Sequence, residues 1–175
     1  MVIRFIFCFG LLSLVTPVFS QNTPIGQPSQ PFPFSVQLLT ADSLAHDSKV
    51  IFSKKNKATL LAFWLTTCQP CAFELEEYAN NYAEWQKNYD LRIVAVSLDF
   101  PERFRKIGAR LADKRYPFEV YWDPYRYFKE VMPGGINGLP QVFLFNEKGI
   151  LVWQHKGYNA EAKAALLEQL KHLQE

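Results

Sequence analysis

The sequence is short of cysteine, of net charge and of long apolar runs, and each shortage excludes a class of protein. Three cysteines in 175 residues are too few for a scaffold stapled by disulfides. A formal net charge of +2 gives no electrostatic footprint for nucleic acid, so we expect no nucleic-acid partner. The apolar run at residues 5–15 is shorter than the roughly 20 residues that a bilayer-spanning helix needs. A globular domain is predicted, because 49% of the residues are hydrophobic and 15% are aromatic.

The amino-terminal part of the chain has a composition of its own. Arg4, the apolar run and the helix-breaking Pro17 are typical of a secretory signal peptide over residues 1–20, and Ser20 suits cleavage directly after it. An uncleaved membrane anchor is the alternative. Residues 21–33 hold four prolines and little that can pack, which predicts an extended linker. We therefore expect a periplasmic or otherwise exported protein.

The domain expected at residues 34–175 contains a strand, helix, strand unit. Residues 59–64 form a continuous apolar run, which predicts a central strand covered on both faces. The helix that follows has one apolar stripe at helical spacing, formed by Cys71, Leu75, Tyr78, Tyr82 and Trp85. Residues 92–98 give a second buried strand. This order predicts parallel strands joined by a right-handed crossover.

Shorter patterns surround this unit. We expect strands at residues 34–38, 50–52 and 118–122, and helices at 101–113, 124–132 and after residue 159. Asp99 and Asn159 are expected to cap the first and last of these helices. Two further strands, at residues 141–145 and 150–154, should form a hairpin whose turn ends at Gly149. The chain is therefore predicted to be an α/β protein with a central mixed β-sheet flanked by helices.

Two cysteines carry the chemistry, because Cys8 lies in the predicted leader. Cys68 and Cys71 follow a buried strand and open a helix, the context in which a C-x-x-C motif predicts redox chemistry. The unpaired N–H groups and partial positive charge of a helix N-terminus favour thiolate over thiol. We expect Cys68 to be the nucleophile and Cys71, on the apolar stripe, to be the buried resolving thiol. The alternative, half of a zinc site, needs two more ligands, which no second C-x-x-C or His-x-His motif supplies.

The passage Ala-Phe-Trp-Leu-Thr-Thr-Cys-Gln-Pro-Cys at residues 62–71 resembles the strand and active site of the thioredoxin superfamily. More narrowly, it resembles the exported TlpA/ResA-type branch. A second match is Gly138-Leu139-Pro140, the loop where that superfamily places a cis-proline facing the cysteine pair. The resemblance implies a thioredoxin-like fold and a cis Pro140 that presents the Leu139 backbone to an extended substrate strand beside Cys68. A trans proline that merely starts a strand is the alternative.

Two departures from the family pattern concern the surroundings of the cysteines. Thr67 stands where family members commonly have Trp, so the adjoining surface should be smaller and more polar. Ala62 stands where cytosolic thioredoxins have a buried Asp, so a different proton carrier is needed. Substrate contacts are expected from Trp64, Thr67, Leu139 and Pro140, with packing around the disulfide as the first role of Trp64.

Glu74 is the candidate proton carrier. It follows Cys71 by three residues and precedes Tyr78 by four, which places it at the edge of the apolar stripe. It also matches an acidic position that TlpA/ResA-like proteins carry after the second cysteine. A carboxyl desolvated beside two sulfur atoms should have a raised pKa and could shuttle the Cys71 proton. The alternative is an ordinary exposed glutamate in a salt bridge.

The resemblance implies an exported thiol-disulfide oxidoreductase that reduces disulfides of envelope proteins, apocytochrome c among them. Its partners would be protein thiols and disulfides and a membrane electron donor. We expect a monomer that needs no organic cofactor and no metal. The alternative is a redox-inert or copper-binding docking module, with His155 as a distant ligand. Copper-binding relatives of this fold resemble a C-x-x-x-C pattern, however, and the spacing here is one residue shorter.

Overall fold

A computed structural model describes residues 34–53 and 57–174. The predicted leader and linker, residues 1–33, lie outside the described residues. Within them the chain forms seven strands and five helices. The strands are β1 (Gln37–Leu39), β2 (Ala45–Asp47), β3 (Ala58–Trp64), β4 (Leu91–Ser97), β5 (Glu119–Trp122), β6 (Gln141–Phe145) and β7 (Leu151–Lys156). The helices are α1 (Ser48–Phe52), α2 (Gln69–Tyr89), α3 (Phe104–Lys114), α4 (Phe128–Val131) and α5 (Ala160–His172), and a 3-10 turn at Pro101–Arg103 precedes α3.

All seven strands belong to one mixed sheet with the order β2, β1, β5, β4, β3, β6, β7. The central strands β3, β4 and β5 are parallel, and the remaining neighbours pair antiparallel. The predicted strand, helix, strand unit is β3, α2 and β4, with Trp64 opposite Ser97 at the end of the pairing. The predicted terminal hairpin is β6 and β7, and Gly149 in its turn has φ of 77°.

The sheet has a hydrophobic core on each face because consecutive side chains of a strand point to opposite sides. On β3, Leu60, Ala62 and Trp64 belong to the core shared with α2, α3 and α5. Leu61 and Phe63 belong to the other core, which includes residues of α1 and α4. The continuous apolar run of β3 is therefore explained by burial on both faces, as predicted.

Several local predictions differ from the structure, and the first strand, expected at residues 34–38, is confined to β1 at Gln37–Leu39. Residues 50–52 were expected as a strand but belong to α1, because Asp47 caps this short helix by accepting from the Lys49 N–H over 2.7 Å. The helix expected from residue 124 is confined to α4, and the helix expected from residue 101 begins with the 3-10 turn. None of the helices in the described part of the chain combines the length and apolar character that a bilayer crossing requires.

Candidate active site

The cysteine pair lies where the parallel strands end. Residues 65–67 turn away from the end of β3, and Cys68 is the N-cap residue of α2. The turn is closed by the Cys68 N–H, which donates to the Leu65 carbonyl over 3.1 Å. Pro70 occupies the first turn of α2, where its missing N–H costs no hydrogen bond. The sheet edge and the helix N-terminus together fix the position of Cys68.

A disulfide joins Cys68 to Cys71. Cys71 is fully buried, whereas Cys68 is only half-buried. The Cys71 N–H donates to the Cys68 Sγ over 3.2 Å. This N–H and the partial positive charge of the helix terminus both stabilise negative charge on the Cys68 sulfur once the disulfide is reduced. The geometry therefore separates one accessible, activated sulfur atom from one buried sulfur atom.

The Leu139–Pro140 peptide bond is cis, which confirms the conformation predicted for this loop. Pro140 is buried, and its carbonyl accepts from the Gly157 N–H over 2.8 Å. Leu139 is half-buried and packs against both cores. It also lines a surface cavity together with Leu65 of the turn before Cys68. The cis-proline loop and the cysteine loop thus adjoin each other at the protein surface.

Glu74, a residue of α2, is buried, with only 3% of its surface exposed. Burial raises the pKa of its carboxyl to about 8, because desolvation penalises the charged form. A hydrogen bond with Tyr78 opposes this rise and nearby Glu77 adds to it. Tyr78 is itself buried, and its own pKa is raised mainly by desolvation and then by the charge of Glu74. The expected burial of Glu74 is therefore what the structure shows, rather than the exposed alternative.

Trp64 and Thr67 have different surroundings. Trp64 is 1% exposed and lies in the same core as Cys71, so packing beneath the cysteine pair is the function that its position allows. Thr67, the residue directly before Cys68, is exposed. Of these two predicted substrate contacts, Thr67 alone offers its side chain to the surface.

Asp99 supports the site in a way that the sequence did not reveal. It was expected to cap the helix after β4, but the 3-10 turn begins without a side-chain cap. The buried Asp99 carboxylate instead accepts from the Thr66 N–H over 2.7 Å and from the Thr66 Oγ1 over 2.8 Å. It also accepts from the Ser97 Oγ over 2.8 Å. The signal available in the sequence was an acidic residue directly after a predicted buried strand. The sequence did not indicate that its partner is the loop that follows β3.

The copper alternative requires three ligands that converge. Across residues 34–53 and 57–174, no group of three or more His, Cys, Asp and Glu side chains is arranged to hold a metal ion. His155 lies on β7, where its ring stacks on that of Trp153 with the centroids 5.8 Å apart. It does not join Cys68 and Cys71 in a three-ligand group.

The fold and the site place the chain in the structural class of thioredoxin-like thiol:disulfide oxidoreductases. Residues 33–154 match the model of the AhpC/TSA family. The chain therefore belongs to the AhpC/TSA family. No match was found among curated protein sequences.

Solved structures share this fold. An uncharacterized thioredoxin-like protein from Porphyromonas gingivalis is 26% identical, with a TM-score of 0.67 over 80% of this chain and 90% of that chain. A Chlorobium tepidum protein assigned as the thiol:disulfide interchange protein DsbE is 24% identical, with a TM-score of 0.67 over 85% and 96%. StoA from Bacillus subtilis is 21% identical, with a TM-score of 0.59 over 83% and 100%. The predicted thioredoxin-like α/β fold is confirmed.

Proposed function

We propose that this protein is an exported thiol:disulfide oxidoreductase that reduces disulfides of cell-envelope proteins through Cys68 and Cys71. One observation carries the proposal: the accessible Cys68 caps α2 and is joined by a disulfide to the buried Cys71. The name of the DsbE-assigned protein supports interchange chemistry. Export is supported by the leader-like composition of residues 1–20.

The proposed exchange begins with both cysteines reduced. The Cys68 thiolate attacks one sulfur of a partner disulfide, forms a mixed disulfide and releases the other partner sulfur as a thiolate that takes up a proton. Cys71 then attacks the Cys68 sulfur, and the second partner sulfur leaves. The partner gains two electrons and two protons, and the protein is left with the Cys68–Cys71 disulfide. A dithiol donor must then return two electrons, for which a membrane protein is the candidate.

Glu74 is proposed to move the proton of Cys71. As a carboxylate it accepts that proton when Cys71 attacks, and as a carboxylic acid it returns the proton when Cys71 leaves during re-reduction. A pKa of about 8 allows both forms to be populated near neutral pH. Burial of Glu74 and Cys71 on the same side of α2 supports this assignment.

The partner is proposed to bind in an extended conformation against the cis-proline loop. The Leu139 backbone would pair with the partner strand while Pro140 fixes the loop and Thr67 contributes a small polar surface. Apocytochrome c and other envelope proteins with exposed disulfides are the candidate partners.

The first test is the reduction potential of the purified protein. The protein is equilibrated in glutathione buffers of graded ratio, and the thiols of Cys68 and Cys71 are then counted by alkylation and mass spectrometry. A value near or below about −230 mV is expected for a reductase that depends on a dedicated donor, whereas a value near about −120 mV would make the protein an oxidant. Absence of a reversible disulfide would overturn the proposal.

A double variant separates catalysis from docking. Cys68→Ser with Cys71→Ser keeps the surface but removes both sulfur atoms, so reduction of a partner disulfide should be lost. If the double variant supports the protein's cellular function as well as the wild type, the redox-inert docking alternative replaces the proposal.

A further inference from the structure

A surface groove between the cis-proline loop and the turn that precedes Cys68 is not used by the exchange chemistry itself. Its volume is about 240 Å³, and we call it the basic groove. It is lined by Leu65, Leu98, Arg126, Lys129, Ile136, Asn137, Gly138 and Leu139. The lining contains four apolar side chains and two cationic ones, and it contains no carboxylate.

The basic groove adjoins both parts of the proposed partner-binding site, which are the turn before Cys68 and the cis-proline loop. Leu65 accepts the hydrogen bond that closes the turn before Cys68, and Leu139 supplies the backbone beside the cis-proline. A partner strand held between Cys68 and Leu139 would therefore place residues near its cysteine in or over the basic groove. In an extended strand, alternate side chains point to the same face, so residues two positions from the partner cysteine are the ones to consider.

Arg126 is held at the groove by two interactions. Its Nε donates to the Leu98 carbonyl over 2.8 Å, and its guanidinium lies 3.7 Å from the centroid of the Phe100 ring. Its backbone is left-handed, with φ of 58°, a conformation in which glycine or asparagine is the usual choice. The guanidinium is thus preorganised rather than a mobile surface charge.

Exposed rings extend this surface. Phe100, beneath the Arg126 guanidinium, is 54% exposed. Tyr125 and Tyr127 flank Arg126 in the chain and are 68% and 50% exposed, with ring centroids 5.5 Å apart. Aromatic and arginine side chains are enriched at the centres of protein interfaces. Lys129, on α4, is exposed and adds a second positive charge to the groove.

We propose that the basic groove selects partner segments in which the disulfide cysteine has an acidic residue nearby, with the carboxylate bound between Arg126 and Lys129. The apolar floor would accept a neighbouring aliphatic side chain. This inference rests on the proposed function, because it names the class of polypeptide that the redox site reduces. Charge complementarity carries it: two cations and no anion line the groove of a molecule whose overall charge is only +2.

The test compares three peptides that differ at one position. Each has a single cysteine held as a mixed disulfide with 2-mercaptoethanol, and Glu, Gln or Lys lies two residues from that cysteine, in one series before it and in another after it. The reduced protein becomes oxidised while the peptide thiol and 2-mercaptoethanol are released. Rate constants are measured at low ionic strength. In at least one series the Glu peptide should react roughly fivefold faster than the Lys peptide, with the Gln peptide between them.

Two charge reversals provide the matched comparison. Lys129→Glu should abolish or invert the preference for the Glu peptide, while the exposed Lys148→Glu, in the β6–β7 turn, makes the same change of net charge and should preserve it. Lys129 is an exposed side chain, so its replacement should not prevent folding. Equal rates for the three peptides in both series, or an unchanged preference in Lys129→Glu, would overturn this inference alone. If the reduced protein reduced none of the peptides, the proposed function would fail and the inference with it.

Discussion

At the scale of single residues, Glu74 is a carboxyl whose pKa lies far above its ordinary value. Its pKa of about 8 means that the carboxyl is mostly protonated at neutral pH in the oxidised protein. It can then donate a proton to the Cys71 sulfur when a dithiol attacks Cys68 and Cys71 leaves. Glu74→Gln keeps the shape but carries no acidic proton. We expect it to slow reduction of the disulfide by dithiothreitol by roughly tenfold or more at pH 7.

The pH profile distinguishes proton transfer from a packing effect. Above pH 8 the wild-type carboxyl becomes ionised and loses the proton it donates, so the advantage over Glu74→Gln should shrink as pH rises. Stopped-flow fluorescence at graded pH measures both rates, and Glu76→Gln on the same helix is the matched control. A constant ratio of the two rates between pH 6 and pH 9 would show that Glu74 does not transfer the proton.

Tyr78 should moderate the rise in the pKa of Glu74 that burial causes. Its hydrogen bond holds the pKa of the Glu74 carboxyl below the value that burial alone would give. Tyr78→Phe removes that hydrogen bond without removing the ring, so the pKa of Glu74 is expected to rise further. Carbon-detected NMR of the glutamate carboxyl groups would measure it. Tyr82→Phe, one turn along the same buried stripe, is the control and should leave the pKa of Glu74 unchanged. A Glu74 pKa that fell in Tyr78→Phe would contradict the role given to the Tyr78 hydrogen bond.

At the scale of elements, the parts predicted best were those with a strong local signal. The apolar run of β3, the stripe of α2 and the Asn159 cap, which accepts from the Ala162 N–H over 2.7 Å, are local patterns that the structure confirms. The short segment at residues 50–52 was mistaken for a strand because three apolar residues fit either state, and the cap at Asp47 decided it.

Features that depend on contacts between distant elements were not predictable in this way. Asp99 reaches the loop that follows β3, 33 residues earlier in the chain, and nothing in its own neighbourhood indicates that partner. Arg126 adopts a left-handed backbone that its residue type does not favour, and its side chain is held by contacts with Leu98 and Phe100. The cis-proline was predictable through family resemblance, whereas the basic groove beside it depends on these tertiary contacts.

The tie between β4 and the cysteine loop can be tested through Asp99. Asp99→Asn keeps the volume but replaces a buried carboxylate that accepts from Thr66 and Ser97 with a neutral amide. We expect the free energy of unfolding to fall by about 1–3 kcal/mol, measured by urea denaturation of the oxidised protein. Asp113→Asn, at an exposed position of α3, should change it little. Equal stability of the two variants would mean that Asp99 does not secure the loop.

At the scale of the whole molecule, the buried Glu74 carboxyl that is proposed to serve exchange should lower the free energy of unfolding as pH rises. The pKa of Glu74 is raised from 4.5 to about 8 on folding, so between these values the native state binds a proton that the unfolded state has lost. The free energy of unfolding should therefore decrease across this range because of Glu74, by an amount on the order of a few kcal/mol. Exchange chemistry and stability thus make opposite demands on one side chain.

Glu74→Gln removes this dependence because the amide does not titrate. Relative to wild type, Glu74→Gln should have a larger free energy of unfolding at pH 8.5 than at pH 5. At pH 5 the wild-type carboxyl is already neutral in the folded state. Urea denaturation of the oxidised proteins at both pH values measures the difference, with the exposed Glu84→Gln as the control on the same helix. If the two proteins differed by the same amount at both pH values, the folded pKa of Glu74 would be ordinary, and its place in proton transfer would lose its physical basis.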